Sequence, residues 1–379
     1  MWFLLACASA ISFGLRGILY QWSSKQSLNR NLMLFGVYIS GTVITAAGSL
    51  ALGQHWSPGV WVGVLMGLFS FISNAAMYKG YAVGKASLIA MFTGLPPVVV
   101  ALLAFSVWGE RLSYGQLLSF VIIMTGLMMV RYSGDLSLRN LQGAQWGVLT
   151  MLFFGLTDFF TKQATLLHAD TFPTLVTMYA TGGLLFGAVW LLDLRRASAA
   201  RDSLRLARQE SAAASQEDVH GRPAIEAGAG LERSGVKSKS EPEPSVKRRL
   251  EEIGKHTGPY PGSSEGMSEA GSSLERTQES PDAESVPPVN AARQTRIVWS
   301  SRRTLLWGMT VGITNACGMM FAMPAFKLGV TGLVSAVMAA NVVLVMLYAR
   351  LVLKESFKRL EAAGMMIGFA GIVLLKLLS

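Results

Sequence analysis

Apolar residues run along this chain in long, nearly unbroken stretches separated by short polar caps. The stretches fall at residues 2–21, 33–53, 59–78, 86–108, 114–131, 146–166, 172–192, 304–323, 330–353 and 361–378. A helix needs about 20 apolar residues to cross about 30 Å of bilayer hydrocarbon. Each stretch has that length or close to it, so the pattern predicts an all-α membrane protein of about ten transmembrane helices. No ten-residue segments of alternating polarity occur, which excludes a closed β-barrel. Trp2, Trp22, Trp56, Trp108, Trp146 and Trp190 stand at the edges of the stretches, where an amphipathic indole is stable at the membrane interface.

Between Arg195 and Arg303 the pattern stops. This part is rich in Ser, Glu, Gly, Pro, Lys and Arg, with Tyr260 and Trp299 its only aromatic residues. It holds too little apolar surface to offset the entropy of ordering, so its composition predicts a long disordered insert. Residues from Arg195 to about Glu210 have the composition to prolong the preceding helix.

The apolar stretches repeat. Shifting the sequence by 245 residues lays 79–133 on 324–378 without a gap: Gly84 meets Gly329, Leu88 meets Leu333, Glu110 meets Glu355 and Gly126 meets Gly371. Ten of the 55 positions are identical. Phe13-Gly14-Leu15 also matches Phe154-Gly155-Leu156, and Ile72-Ser73-Asn74-Ala75 resembles Ile313-Thr314-Asn315-Ala316. The chain therefore divides into a first five-helix repeat (1–133), a connecting loop (134–145), two helices of a second repeat (146–194), the polar insert (195–303) and the last three helices (304–379). Five is an odd number of spans, so the two repeats must cross the membrane in opposite senses. Inverted repeats place a solute site near the midplane at their interface and permit alternating access.

Composition agrees with this reading. Of 379 residues, 51% are hydrophobic and 15% charged, where soluble proteins carry about 25% charged residues. The insert holds 18 of the 33 Lys and Arg and 16 of the 23 Asp and Glu. Outside it the basic residues sit in caps between spans, a membrane-topology pattern rather than a nucleic-acid footprint. Most of them fall on the face of Lys25, Arg30, Arg131, Lys354 and Arg359, which also holds Arg195 and Arg303 at the ends of the insert, against Arg111, Lys327 and Lys376 on the other. The positive-inside rule then puts the insert in the cytoplasm and both termini outside. No basic region precedes Trp2-Phe3, so the first stretch reads as a retained span rather than a cleaved signal. Cys7 and Cys317 lie within apolar stretches and read as small packing residues.

The repeat ends carry a recognisable signature. Gly80-Tyr81-Ala82-Val83-Gly84-Lys85-Ala86-Ser87-Leu88 is followed by Pro96-Pro97 and then by Gly109-Glu110-Arg111-Leu112-Ser113, Gln116 and Thr125-Gly126. The second half keeps the ending as Lys354-Glu355-Ser356-Phe357 with Gly364 to Gly371, and Phe154-Gly155 is followed by Lys162 seven residues after the glycine. Gln21 stands where the first half would have that lysine. These residues resemble the EamA-like members of the drug/metabolite transporter superfamily, over both membrane halves but not the insert. The resemblance implies a carrier for a small solute. It also implies a cytoplasmic N-terminus, against the charge count above.

Six residues are candidates for contact with a solute. Asp158 lies in the sixth span, where a carboxylate is costly unless it faces the bundle interior or water. Lys162, one helical turn on, shares its face and could neutralise it. Arg16 is nearer the end of its span, where snorkelling to the interface is the simpler expectation. Asn74 and Asn315 stand at matching places in the third helix of each half, and Asn341 stands where the other half has Pro96. Pro96-Pro97 should kink or break the fourth span. Glu110 and Glu355 read as helix caps that close each repeat. Gly63-xxx-Gly67, Gly183-xxx-Gly187, Gly308-xxx-Gly312 and Gly364-xxx-Gly368 fit close helix packing, inside the bundle or, as the alternative, across a homodimer face.

His55, His168, His220 and His256 form no metal-ligand spacing, and no phosphate-binding loop is present. The sequence thus implies no metal, no cofactor and no ATP-driven step. The expected partners are a small-molecule solute and the lipid bilayer, with no nucleic acid. The expected setting is a bacterial inner membrane. A non-transporting receptor or scaffold, and a membrane-embedded lipid-handling enzyme, are the alternatives to a carrier.

Overall fold

The computed structural model describes residues 1–24, 26, 28–83, 86–131, 143–220, 299–352 and 359–378. Among these residues the structure is helical, with no strand. The helices are α1 (Trp2–Ser24), α2 (Arg30–Ala51), α3 (Val62–Val83), α4 (Ala86–Phe92), α5 (Pro96–Trp108), α6 (Tyr114–Arg131), α7 (Ala144–Leu166), α8 (Thr171–His220), α9 (Ser301–Leu328), α10 (Thr331–Ala339), α11 (Asn341–Leu351) and α12 (Arg359–Leu378). Nine spans among the described residues are long and apolar enough to cross a membrane, α4 with α5 and α10 with α11 each forming one. Helix α7 is not among the nine; it carries Asp158 and Lys162, and its 23 residues match the length of a span.

Contacts divide the chain into two units, one of Met1–Trp190 with Ser264–Ser379 and one of Leu191–Ser263. The first is the membrane bundle. The described part of the second is the polar end of α8, which stays helical to His220. The insert boundary drawn at 195 therefore falls inside a helix, because Ala, Arg, Leu and Glu, all strong helix formers, dominate the following turns. Residues 221–298, which make up most of the predicted insert, lie outside the described residues. Trp299 does not belong with the insert. Its ring meets Trp22 edge-on at 5.8 Å, and Trp307, tilted 4.6 Å from Trp22, donates its indole N–H to the Ser23 hydroxyl at 2.7 Å.

The bundle repeats its own contacts. Helix α1 packs along α9 as α3 packs along α7, and α1 crosses α11 as α5 crosses α7. Helix α2 lies against α9, and α3 lies against α8 through Gly63 and Gly67, which face Thr174, Thr177 and Met178. The last helices of the two repeats, α6 and α12, pack on each other. Lipid tails are as apolar as leucine, so close van der Waals fit supplies the association between such helices. That fit is visible at Gly14, where an added Cβ would strike Leu344, and at Gly155, where it would strike Val99. Val99 and Leu344 are partners under the 245-residue shift, and Gly14 and Gly155 under a 141-residue shift. Each half therefore offers a glycine notch that the other half fills.

Both long spans that follow the third helix of a repeat are broken at the same place. Helix α4 ends at Phe92, tight turns bond Gly94 to Met91 and Leu95 to Phe92, and Pro96-Pro97 opens α5. The two prolines lack backbone donors and so suit the first turn of a new helix. In the second half the break falls at Ala340, which is Leu95 under the shift, and Asn341 opens α11. The sequence reading expected an interruption only at the prolines. Here Ala340 donates to Val337 and accepts from Val343, the same tightened turn without a proline.

Candidate functional site

Among the described residues, the candidate side chains gather in two groups, one around Arg16 and one around Asp158. Arg16 does not snorkel to the interface. Its Nη1 donates to Asn315 Oδ1 at 2.6 Å, and Asn315 is the middle residue of α9, only 5% exposed. The guanidinium carbon lies 4.7 Å from the Phe13 ring centre and 5.8 Å from that of Tyr20. Rings on the same helix face one turn either side hold the cation by their negative π faces. Tyr38 from α2, Tyr78 from α3 and Tyr179 from α8 also lie within electrostatic reach of Arg16. Arg30 stands 5.2 Å from the Tyr78 ring centre.

Tyr38 and Tyr179 are fully buried and meet edge-on at 5.8 Å. Tyr38 shares a hydrogen bond with the Ser70 hydroxyl at 2.6 Å. The Tyr179 hydroxyl and the Arg16 Nε are buried without a hydrogen-bond partner. No carboxylate pairs with Arg16 among the described residues, so its charge is compensated only by an amide oxygen and aromatic faces.

The two asparagines that match in sequence behave differently. Asn315 reaches across to α1, whereas Asn74 donates to the Ser70 carbonyl of its own helix at 2.7 Å. The reason lies on the facing helix. Position 16 holds the arginine that Asn315 accepts from, while its counterpart in the second repeat, Thr157, bonds back to Phe153.

Asp158 and Lys162 do not pair with each other. Asp158 Oδ2 accepts from the Ser335 hydroxyl of the buried helix α10 at 2.5 Å. Lys162 Nζ donates to the Phe326 carbonyl at 2.7 Å and the Gly329 carbonyl at 3.0 Å, where α9 ends. A helix C-terminus leaves carbonyls without donors and carries partial negative charge, so an ammonium there satisfies both. Just beyond, both oxygens of Glu110 accept from Thr331 N at 3.1 Å, at the start of α10. Gly109 makes this reach available. Its φ of +65° ends α5 in a left-handed turn, and Glu110 N bonds back to Ala104. Glu110 thus caps a helix, as its sequence position suggested, but the helix belongs to the other repeat. Its counterpart Glu355 lies outside the described residues.

Asn341 stands apart from both groups. It borders an apolar cavity of about 190 Å³ between α1, α6, α11 and α12, with Ala10, Ile123, Leu344 and Phe369 among the lining residues. Cys7 and Cys317 are free thiols. No cluster of His, Cys, Asp or Glu among the described residues could hold a metal ion.

The sequence reading passed over the tyrosines and Ser335. Tyr38 and Tyr179 fall together under the 141-residue shift that aligns Gly14 with Gly155, and extending that shift from the first helix to the second would have found them. Ser335 has no such signal, because Ala90 occupies its place in the first repeat.

These features define a multi-pass integral membrane protein made of two inverted five-helix repeats with a polar, aromatic interior. The EamA-like transporter family model matches residues 1–132 and 288–377, more than half of the chain, and the chain belongs to that family. A solved crystal structure, titled only as that of a protein, superposes on 100% of this chain and 96% of its own length with a TM-score of 0.59. The two sequences are 11% identical, so this likeness shows the fold alone. No curated protein matches the sequence.

Proposed function

We propose that this protein is a secondary transporter that carries a small solute across the membrane by alternating access, and not an enzyme. Membership of the family supports a transporter, and the reciprocal packing of the halves carries the mechanism. Tyr38 packs on Gly182 while Tyr179 packs on Gly41, and Gly14 receives Leu344 while Gly155 receives Val99. Two halves that fill each other's notches can rock as units about the shared centre and open it to either side in turn. The solute sits in the Arg16, Tyr38, Tyr78, Tyr179 and Asn315 group, which lies at mid-depth of α9. Asp158 with Ser335 forms a second polar station where α7 meets α10.

A bacterial inner membrane is the proposed setting, with the end of α8 and the insert on the cytoplasmic side. Uptake by purified protein in sealed proteoliposomes tests the reading. Accumulation or counterflow of a solute that empty vesicles exclude is expected. Specific solute binding without any flux would instead favour a receptor.

A further inference from the structure

We infer that the polar group around Arg16 is an anion site, and that its ligand is a small organic monocarboxylate with a flat aromatic body. This rests on the group being the solute site proposed above. A guanidinium stays protonated at all accessible pH, and within the hydrocarbon depth of a membrane its charge calls for an opposite one. Among the described residues, the other polar groups that touch Arg16 or lie within its electrostatic reach are neutral: the amide of Asn315 and the phenols of Tyr20, Tyr38, Tyr78 and Tyr179. Arg16 has no counterion among the described residues, and one negative charge neutralises it.

Two buried polar atoms in this group lack a partner. Nη1 of Arg16 is taken by Asn315, but the buried Nε has no acceptor, and the buried Tyr179 hydroxyl has neither donor nor acceptor. A buried donor without a partner costs about 1–3 kcal/mol in a typical interior, so a ligand oxygen that meets either offsets that loss as it binds. A carboxylate is planar and presents two oxygens, the geometry that a guanidinium edge and a phenol can share. The neighbouring rings set the rest of the ligand. Phe13 and Tyr20 flank the guanidinium, and Tyr38 and Tyr179, which meet edge-on, lie within its electrostatic reach. Such rings favour an aromatic body, by offset or edge-to-face contact, over a sugar or a flexible chain.

Asn315 supplies a sharp test because aspartate has nearly its shape. Asn315→Asp keeps the contact with Arg16 but installs a carboxylate there, so the site neutralises itself. Tyr179→Phe removes the orphan hydroxyl and changes nothing else. Protein purified in a neutral maltoside detergent is titrated with benzoate, phenylacetate and indole-3-acetate, and with benzamide, phenylacetamide and indole-3-acetamide, following thermal stabilisation. At least one carboxylate should stabilise the wild type saturably, and its amide should not. Asn315→Asp should melt no lower than wild type and should lose the effect. Tyr179→Phe should fold normally and bind about tenfold more weakly, the loss of one hydrogen bond to a charged group. Stabilisation by none of the three carboxylates, equal stabilisation by the amides, or unchanged carboxylate binding in a folded Asn315→Asp protein would each overturn the inference. Flux assays separate this from the transport reading. Carboxylate binding without flux refutes the carrier and leaves the anion site standing. Flux of a neutral or cationic solute, unaffected by Asn315→Asp, refutes the anion site and leaves the carrier standing.

Discussion

Tyr38 and Tyr179 occupy equivalent places in the two repeats, and each packs against the glycine that follows the other by three residues: Tyr38 on Gly182, Tyr179 on Gly41. Their rings meet at 5.8 Å. The pair therefore lies on the axis that relates the halves, and a change on either side of it should be felt equally.

Gly182→Val should consequently match Gly41→Val in effect. Each forces a branched side chain into a buried tyrosine ring, at a cost of about 1–3 kcal/mol for overpacking. Tyr38→Phe should cost less than either, since the ring stays and only the bond to Ser70 is lost. Thermal denaturation of the purified variants measures all three, and a large difference between the two valine variants would deny the symmetry.

Asp158 and Lys162 should act independently. They share a helix face, yet one is bonded to Ser335 and the other to the carbonyls of Phe326 and Gly329. In a cycle of Asp158→Asn, Lys162→Met and the double variant, the stability coupling should stay below about 0.5 kcal/mol. A coupling of several times that size would mean that the two charges do neutralise each other.

Glu110→Ala should lower stability by about 1 kcal/mol, the usual worth of an N-terminal cap with its dipole contribution. Glu110→Gln should recover part of the loss, because its amide oxygen can still accept from Thr331 N. Lys162→Met should cost at least as much, since it leaves the last carbonyls of α9 without their donor. Melting curves in a single detergent check the ranking.

Membrane orientation is open to direct labelling. With Cys7 and Cys317 replaced by Ala, single cysteines are introduced as Gln26→Cys, between α1 and α2, and Tyr114→Cys, at the start of α6. Tyr114 is 95% exposed and lies at the opposite end of the bundle from Gln26. The basic caps predict that a membrane-impermeant maleimide applied to intact cells labels position 114 and spares position 26. The reverse pattern would restore the cytoplasmic N-terminus that the family resemblance implies.

Replacing residues 221–292 with a short Gly/Ser linker should leave membrane insertion and flux unchanged. The loop must still close, but closure entropy varies only slowly with length. Loss of flux at normal expression would assign the insert a direct part in transport.

The number and order of spans were legible because twenty apolar residues in a row have few other uses. Inversion followed from the odd count in each repeat. The break at Ala340 was not legible, since no proline marks it and Asn341 alone does not dictate a new helix. The fate of the charges was hidden for a different reason. Spacing of four residues puts Asp158 and Lys162 on one face but says nothing of what that face meets, and both found partners about 160 to 180 residues away. Arg16 was misjudged in the same way. Distance from a helix end suggested the interface, while Asn315 on a neighbouring helix held the side chain inside.

The glycine notches bear on how the chain is made. Gly14 leaves the ribosome early, but the Leu344 that fills its notch is synthesised 330 residues later, and Gly36 waits for Leu305 and Gly308. Between them stands the stretch 195–303, which at about 5–20 residues per second adds roughly 5–20 s to translation. For that interval the seven spans made of α1 to α8 precede their partners, with open grooves on α1 and α2. The nascent protein is then exposed to capture by other membrane segments, and the length of the insert sets how long that exposure lasts.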